Sequence, residues 1–560
     1  MNKERNQSAR KFFPLILSLT LLITAFIFGL HKIDDFDFLW HLKTGEIILK
    51  QGPPQLDPYS FRLEGKQWID SQWLFQAIIY LVYRGFGFKG LSLFLAFLAT
   101  VLYLLLYWLI WDRKLYPLGF FFCMLSIWPM SIRFHLRPEF FSYLLIVIYL
   151  TIMERARQRS HWLIFLLPFF QLLWANLEGL WPVGLFIIGA YFAEDFIFNL
   201  ASRSKPTSSR DSAGLRRLDR LAGLLEPDYQ SQPGRIFAVL IICIIVSFLT
   251  PYTMRGFLFP FTLLLEVAHP SNLVKSHILD SLSVFPAYFK FPFIAVPLLI
   301  LIFVSGLSFF LNRKPRPAHW IIWPAFLFIS LSARRNIPFI CLLSVPVMAI
   351  NFKSYLYSKF FSPDSGERPA LKIFPFRLKF FSSRHILFLQ TLPCASAIGL
   401  SILFIITNIT GQFHEWNKSL REFGTGFKFD YYPVAACGFL KELSWKGRIF
   451  NHMNIGGYLI WAGYPDWKIY MDSRLEVYGN DGMVRYFLAF TDQGVFQEEE
   501  KKYGFEAIVI STHPRMIVPL LRNLSSDPSW VLVYADPAAL IYLKDSPDQH
   551  HLVERYRLKP

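Results

Sequence analysis

The sequence predicts a polytopic α-helical membrane protein of about eleven transmembrane helices with a C-terminal extracytoplasmic α/β domain. Three observations carry that expectation. Apolar runs long enough to cross a bilayer recur through residues 1–408. Lys and Arg crowd alternate connecting loops. After residue 409 the texture changes to short β-rich runs set between helical patterns. The balance of 54% hydrophobic against 17% charged residues excludes a large soluble enzyme, which would carry about 25% charge.

The apolar runs fall at about 12–30, 86–112, 115–133, 138–153, 162–178, 180–200, 236–252, 292–312, 318–333, 336–352 and 386–408. The stretch 73–84, opening on Trp73-Leu74-Phe75, is too short to span and reads as an amphipathic helix lying in the interface. The first run has a basic flank and no charge of its own, the look of a signal peptide; it is expected to be retained, since no small-x-small cleavage site follows it.

Charge then sets the orientation. With the N-terminus inside, the inner loops hold Lys3, Arg5, Arg10 and Lys11, then Arg113 and Lys114, then Arg155, Arg157 and Arg159. Further inner loops carry seven Lys/Arg within 203–235, the group Arg313, Lys314 and Arg316, and seven more within 353–384. The outer stretch 253–291 has only Arg255, Lys275 and Lys290. This excess assigns the basic side to the cytoplasm. The net charge of +17 is therefore read as topology and contact with anionic lipid. Nucleic acid is not an expected partner, because the basic residues are scattered over separate loops. The five cysteines form neither a disulfide framework nor a metal-type spacing, and only Cys437 falls clearly outside the spans.

The expected organisation is a transmembrane module over 1–408, including a first outer loop at 31–85, and an extracytoplasmic domain over 409–560. The inner loops near 201–234 and 353–385 are Ser/Pro/Arg-rich and read as flexible. In the last region, strand-like runs at 448–450, 468–471, 507–510, 530–534 and 540–543 alternate with helical patterns at 457–463, 481–502 and 514–524. Such alternation predicts a small, mostly parallel sheet, its last two strands joined as a hairpin over Asp536-Pro537-Ala538.

The candidate chemistry begins just beyond the first span, at Asp34, Asp35 and Asp37, followed by Trp40 and His41. Carboxylates beside hydrocarbon are costly, so an acidic cluster there invites a functional reading. A carboxylate can take a proton from an attacking hydroxyl or hold Mg²⁺ or Mn²⁺ against a phosphate. The structural alternative is a solvated acidic turn capping the next helix. Trp68 and Trp73 suit either a sugar face or the lipid interface.

The string Asp35-x-Asp37-x-x-Trp40-His41-Leu42-x-Thr44-Gly45, then Gly52, Pro54, Asp57, Ser60 and Trp73-Leu74, resembles the first outer loop of polytopic C-type glycosyltransferases, the GT-C superfamily. It is most similar to bacterial relatives of the protein mannosyltransferases and the lipid A aminoarabinose transferase. Other stretches agree: Arg137-Pro138-Glu139, Trp174-Ala175-Asn176-Leu177-Glu178, Pro251-Tyr252, Arg334-Arg335-Asn336, and Gly456-Gly457-Tyr458 through Met471-Asp472-Ser473-Arg474. The resemblance implies a membrane glycosyltransferase of the cell envelope, with a polyprenyl-phosphate sugar as donor. It places Asp35 and Asp37 at the catalytic and metal-binding positions. The expected partners are that donor, a glycan, lipid or protein acceptor, and the bilayer, with a divalent cation as cofactor. Two departures stand out. Glu178 occupies a position where related sequences often have His, and Asn454–Tyr458 lacks the acidic and Trp positions of the oligosaccharyltransferase signature.

Outer arginines run against the charge trend, which marks Arg133, Arg137, Arg334 and Arg335, with His135, as candidates for the donor phosphate. Snorkelling to lipid headgroups is the alternative. Glu139 and Glu178 are acids at outer span ends, able to contact sugar or metal or to pair with those arginines. Trp40 and His41 join them as substrate-binding candidates. Asp472 and Arg474 read as a structural pair bracing a loop, and His452 and Asn454 as residues satisfying turn backbone. The competing function is a non-catalytic envelope protein, a flippase for lipid-linked glycans or an assembly scaffold. It predicts binding or movement without sugar transfer.

Overall fold

The computed structural model describes residues 2–158, 161–203, 232–268, 292–312, 316–360, 371–372, 377–378, 383–417, 419, 421–430, 432–512 and 517–558. The basic loops near 201–234 and 353–385 lie largely outside them. The chain forms two compact units. One comprises Met1–His31, Ser92–Leu249 and Leu279–Thr425; the other comprises Lys32–Leu91, Thr250–Ile278 and Gly426–Pro560.

The first unit is a helical bundle. Its elements are α1 (Asn2–Gly29), the later part of α3 (Trp73–Leu109), α4 (Tyr116–Ser131), α5 (Glu139–Gln158), α6 (Leu167–Leu177), α7 (Pro182–Arg203) and α8 (Pro233–Val246). It continues with α10 (Pro292–Leu311), α11 (Pro317–Ser332), α12 (Ile337–Phe360), α13 (Ser383–Ile409) and the short α14 (Gln412–Trp416). Among the described residues, five helices are long and apolar enough to cross a membrane, and six more apolar helices are shorter. Large side chains such as Phe303, Phe310 and Phe328 point outward from the bundle, as lipid-facing positions require. Inside, small polar groups tie helices together. Asn312 Nδ2 donates to Asn351 Oδ1 at 2.8 Å, and Asn351 Nδ2 to Ser308 Oγ at 3.0 Å, linking α10 and α12. Glu154 on α5 is buried with Arg316, His319 on α11 and Tyr191 on α7, and Arg157 pairs with Glu194.

The segment 73–84, expected as a short separate helix ahead of the next span, is helical and is set off from that span by a kink within α3, where Gly87 leaves helical geometry at φ 61°. One expectation along this stretch changes. The stretch after residue 252, expected as an outer loop, is helical over α9 (Thr253–Ala268).

The second unit is built on a five-stranded sheet of β1 (Gly447–Asn451), β2 (Trp467–Ile469), β3 (Ala507–Ser511), β4 (Trp530–Ala535) and β5 (Ala539–Lys544), in the order β2-β1-β3-β5-β4. All five predicted strands form. The sheet is mixed rather than mostly parallel: β2-β1-β3 are parallel, whereas β3-β5-β4 are antiparallel. The reason is the tight connection at Asp536, whose side chain accepts from Ala538 N and Ala539 N and folds β4 onto β5 as the expected hairpin. Covering helices are α15 (Val434–Glu442), α16 (Met453–Gly463), α17 (Leu475–Thr491), α18 (Gln493–Tyr503) and α19 (Val518–Ser526). An aromatic core of Phe450, Tyr470, Tyr486, Phe490, Phe496 and Phe505 fills one face, and Phe61 from the first outer loop joins it. That loop also lies along the sheet edge, with Ile469 N donating to Tyr59 O at 3.1 Å.

Candidate active site

Asp35 and Asp37 sit on the turn that opens α2 (Phe38–Gln51). Asp35 accepts from the backbone N of Asp37 at 3.0 Å through Oδ1, and its carbonyl accepts from Phe38 N at 3.2 Å. Asp residues favour such turns because a short carboxylate can reach its own backbone two residues on. Asp35 is 6% exposed. The turn is clamped from the C-terminal region: Tyr432 Oη donates to the Asp35 carbonyl at 3.0 Å. A Cβ placed on Gly457 of α16 would lie 2.7 Å from Phe36 O, so only glycine lets that helix approach the acidic turn so closely.

Trp40 and His41 are buried, at 5% and 3% exposure. Their rings meet at a tilt of 31° with centroids 3.6 Å apart. Gln76 Nε2 meets His41 Nδ1 at 3.3 Å and donates to Asp70 Oδ1 at 2.9 Å. Among the described residues Asp70 Oδ2 has no hydrogen-bond partner. Burial is the largest influence on this carboxyl and pushes it up to about 7, against the opposing Gln72 backbone N–H and Arg474.

Beneath α2 lies a buried ionic knot. Arg474 is fully buried, donates from Nε and Nη2 to Asp472 at 2.9 and 2.7 Å, and pairs through Nη1 with Asp57 at 2.5 Å. Its guanidinium faces the rings of Trp68, Tyr59 and Trp40 at 4.5, 5.0 and 5.6 Å. Asp57 in turn accepts from Tyr59 N and Ser60 N, fixing the loop. The expected Asp472–Arg474 brace is present, enlarged by Asp57. His452, expected to satisfy turn backbone, accepts from Asn454 N at 3.3 Å at the start of α16; burial pushes its imidazole down to about 4, keeping it a neutral acceptor.

Glu476, on the first turn of α17, was not singled out from the sequence. It lies within electrostatic reach of Asp37, Asp472 and Arg474. Its side chain is accessible to solvent but crowded by protein. That crowding, then Asp472 and Asp37, shift its carboxyl upward despite the opposing backbone N–H and Arg474. A carboxyl of raised affinity beside an acidic pair is a common arrangement for acid–base chemistry, and only the folded chain brings residue 476 to residue 37. Two carboxylates at 35 and 37 do not enclose a cation; among the described residues no group of three or more His, Cys, Asp and Glu forms a metal cluster. The pair fits Mg²⁺ or Mn²⁺ only with water and a substrate phosphate completing the shell.

The remaining candidates belong to the helical unit. Arg133 is buried and lies 3.9 Å from Glu139. Glu178 Oε2 accepts from Ser142 Oγ at 2.9 Å and Leu180 N at 2.7 Å, and Glu139 is within its electrostatic reach. His135 is held well below its ordinary value, first by burial, then by Arg421, Arg133 and Arg137. So Arg133, Arg137, Glu139 and Glu178 gather around one end of α5, joined by Arg421, which the sequence did not mark. Arg421 donates to Ser131 O and Ile132 O at 2.8 and 2.7 Å and contacts His135. Arg334 and Arg335 occupy a separate 3-10 turn, Arg334–Asn336, with Arg335 exposed.

No protein-family model and no curated protein sequence matches the chain. Solved structures do. The Archaeoglobus fulgidus oligosaccharyltransferase AglB, in complex with an inhibitory peptide and a dolichol-phosphate, superposes with a TM-score of 0.56 at 11% identity, over 90% of this chain and 69% of that one. The A. fulgidus oligosaccharyltransferase tethered to an acceptor peptide gives 0.53 at 12% identity, over 96% and 74%. ArnT from Cupriavidus metallidurans bound to undecaprenyl phosphate gives 0.49 at 12% identity, over 95% and 97%. At these identities the likeness is one of fold: the chain has the fold of the archaeal oligosaccharyltransferase.

Proposed function

We propose that the chain is a membrane glycosyltransferase that moves a sugar from a polyprenyl-phosphate donor to an extracytoplasmic glycan, lipid or protein acceptor, with inversion. The observation that supports it most is the clamped turn carrying Asp35 and Asp37 in a chain of this fold. The archaeal oligosaccharyltransferase was solved with a dolichol-phosphate and a peptide, and a lipid phosphate with an acceptor is likewise what we assign here. About eleven spans, an inside N-terminus and an outward C-terminal domain complete the reading, since they set the acids away from cytosolic nucleotide sugars.

In the proposed reaction the acceptor hydroxyl oxygen attacks the anomeric carbon. The bond from that carbon to the donor phosphate oxygen breaks, and the hydroxyl proton passes to the carboxylate of Asp35 or Asp37. Arg133 and Arg137, with Arg334 and Arg335, supply forked donors for the departing phosphate. Trp40 and His41 hold α2 and hence the angle of the acids. A divalent cation at Asp35 and Asp37 would neutralise phosphate charge.

The test is transfer by purified protein in nanodiscs, supplied with polyprenyl-phosphate hexoses and pentoses and a panel of acceptors. Asp35→Asn and Asp37→Asn are each expected to cut transfer by about 10²-fold or more while the thermal midpoint stays near that of the wild type. Wild-type turnover in both variants sinks the assignment. Lipid-linked sugar moved or bound without ever being transferred favours the flippase or scaffold.

A further inference from the structure

The sheet-containing unit holds a concavity of about 500 Å³, which the transfer reading leaves unused. Arg62 and Lys66 from the first outer loop line it, with Tyr478 and Arg485 of α17 and Lys502 and Tyr503 of α18. Its volume lies within the range of small-molecule sites, about 300–1,000 Å³. Four cations face two carboxylates, Asp481 and Glu499. Glu499 is already committed: it accepts from Arg485 at 2.8 and 2.9 Å and from Tyr470 Oη at 2.6 Å. Positive charge on this wall is therefore in excess.

Arg62 is the informative residue. Its side chain is 7% exposed. Nη2 donates to Gly482 O at 3.2 Å and Nε lies 3.9 Å from Glu499 Oε2, while among the described residues neither Nε nor Nη1 makes a hydrogen bond. The guanidinium lies over Tyr470 at 4.4 Å and Tyr478 at 5.8 Å. Glu499 is shared between Arg62 and Arg485, and the donors of Arg62 that it leaves unused suit a further anion. Gly479 breaks α17 at φ 67°, and the helix resumes through Asn480, Asp481 and Gly482, all on the cavity wall. The tyrosine rings add flat faces on which a sugar can stack.

We propose that this cavity binds an anionic saccharide, a sugar ring bearing a carboxylate or a phosphate. Its role as a subsite for an acidic unit of the acceptor rests on the transfer reading; its chemistry does not.

The experiment is calorimetric titration of the full chain in zwitterionic nanodiscs with glucuronate, glucose 1-phosphate, glucose and inorganic phosphate. At least one of the two anionic sugars is expected to bind saturably, about tenfold or more tighter than both glucose and inorganic phosphate. Arg62→Lys and the charge-reversed pair Lys66→Glu/Lys502→Glu should each weaken that binding about tenfold. The pair lies at the open rim, so it keeps the test sharp if the Arg62 variant fails to fold. Three results overturn the proposal: no saturable binding of either anionic sugar, inorganic phosphate binding as tightly as the sugars, or wild-type binding by the charge-reversed pair. Binding is read without turnover, so its failure leaves the transfer reading standing, and loss of transfer in Asp35 or Asp37 variants leaves the cavity untouched.

Discussion

Asp35 and Asp37 differ in what they hold. Asp35 spends one oxygen on the backbone of Asp37, while Asp37 has Glu476 within electrostatic reach. Removing a general base costs roughly 10²–10⁴-fold in rate, so the more damaging of the two Asn substitutions, read as kcat on a lipid-linked donor, identifies the proton acceptor. Asp70 offers a different test. Its carboxyl is raised from 3.8 to about 7 by burial, so the folded state binds a proton that the unfolded state releases. The contribution to stability is full below 3.8 and is lost as pH rises through that window to about 7. Asp70→Asn keeps the neutral form at every pH. The thermal midpoint of the variant should therefore fall less than that of the wild type across that interval, and parallel curves would refute the buried proton. From the sequence, Asp35 and Asp37 were legible because acids beside a membrane span are costly. Asp70 and Glu476 were not, because an isolated acid on a polar loop looks solvated until its neighbours are known.

The helices that matter most to the site are those that approach backbone to backbone. A Cβ on Gly45 of α2 would lie 2.1 Å from Gln76 O of α3, and one on Gly456 of α16 would lie 2.4 Å from Met471 O. Gly457 repeats the pattern against Phe36 O. Gly457→Ala therefore pushes α16 away from the acidic turn. The expected cost is about 1–3 kcal/mol, with transfer falling further than the lost stability alone explains; unchanged kcat and thermal midpoint would show that the turn is set by something else. The strands of the sheet were readable because β-rich runs of even length stand between turn residues. Their directions were not, since the same alternation suits parallel crossovers, and only pairing decided that β5 runs antiparallel to β3. By contrast, the break between the short segment 73–84 and the span that follows was legible, and it falls at Gly87.

At the scale of the whole molecule, the sheet-containing unit is assembled from three stretches of chain far apart in sequence. Tyr252 Oη donates to Pro54 O at 2.9 Å, and Arg474 joins Asp57 to Asp472 out of contact with water. Arg474→Met would leave two carboxylates buried without their cation, at a cost of about 3–5 kcal/mol. It should lower the thermal midpoint well below that of Asp35→Asn; an equal midpoint would mean that the knot is dispensable. The proposed topology is checked independently: alkaline phosphatase fused after residue 558 should be active and a fluorescent protein fused there dark, and the reverse pattern would invert the orientation. By itself the sequence determined the membrane class, the identity of the strands and the acidic motif, since hydrophobic length, period-two patterning and the cost of charge near lipid are local properties. Only the tertiary structure decided that the first outer loop packs into the core of the C-terminal sheet, that Glu476 stands by Asp37, and that Arg62 faces a cavity. Each depends on which distant residues share a low-dielectric interior, and that is fixed by packing rather than by sequence neighbourhood.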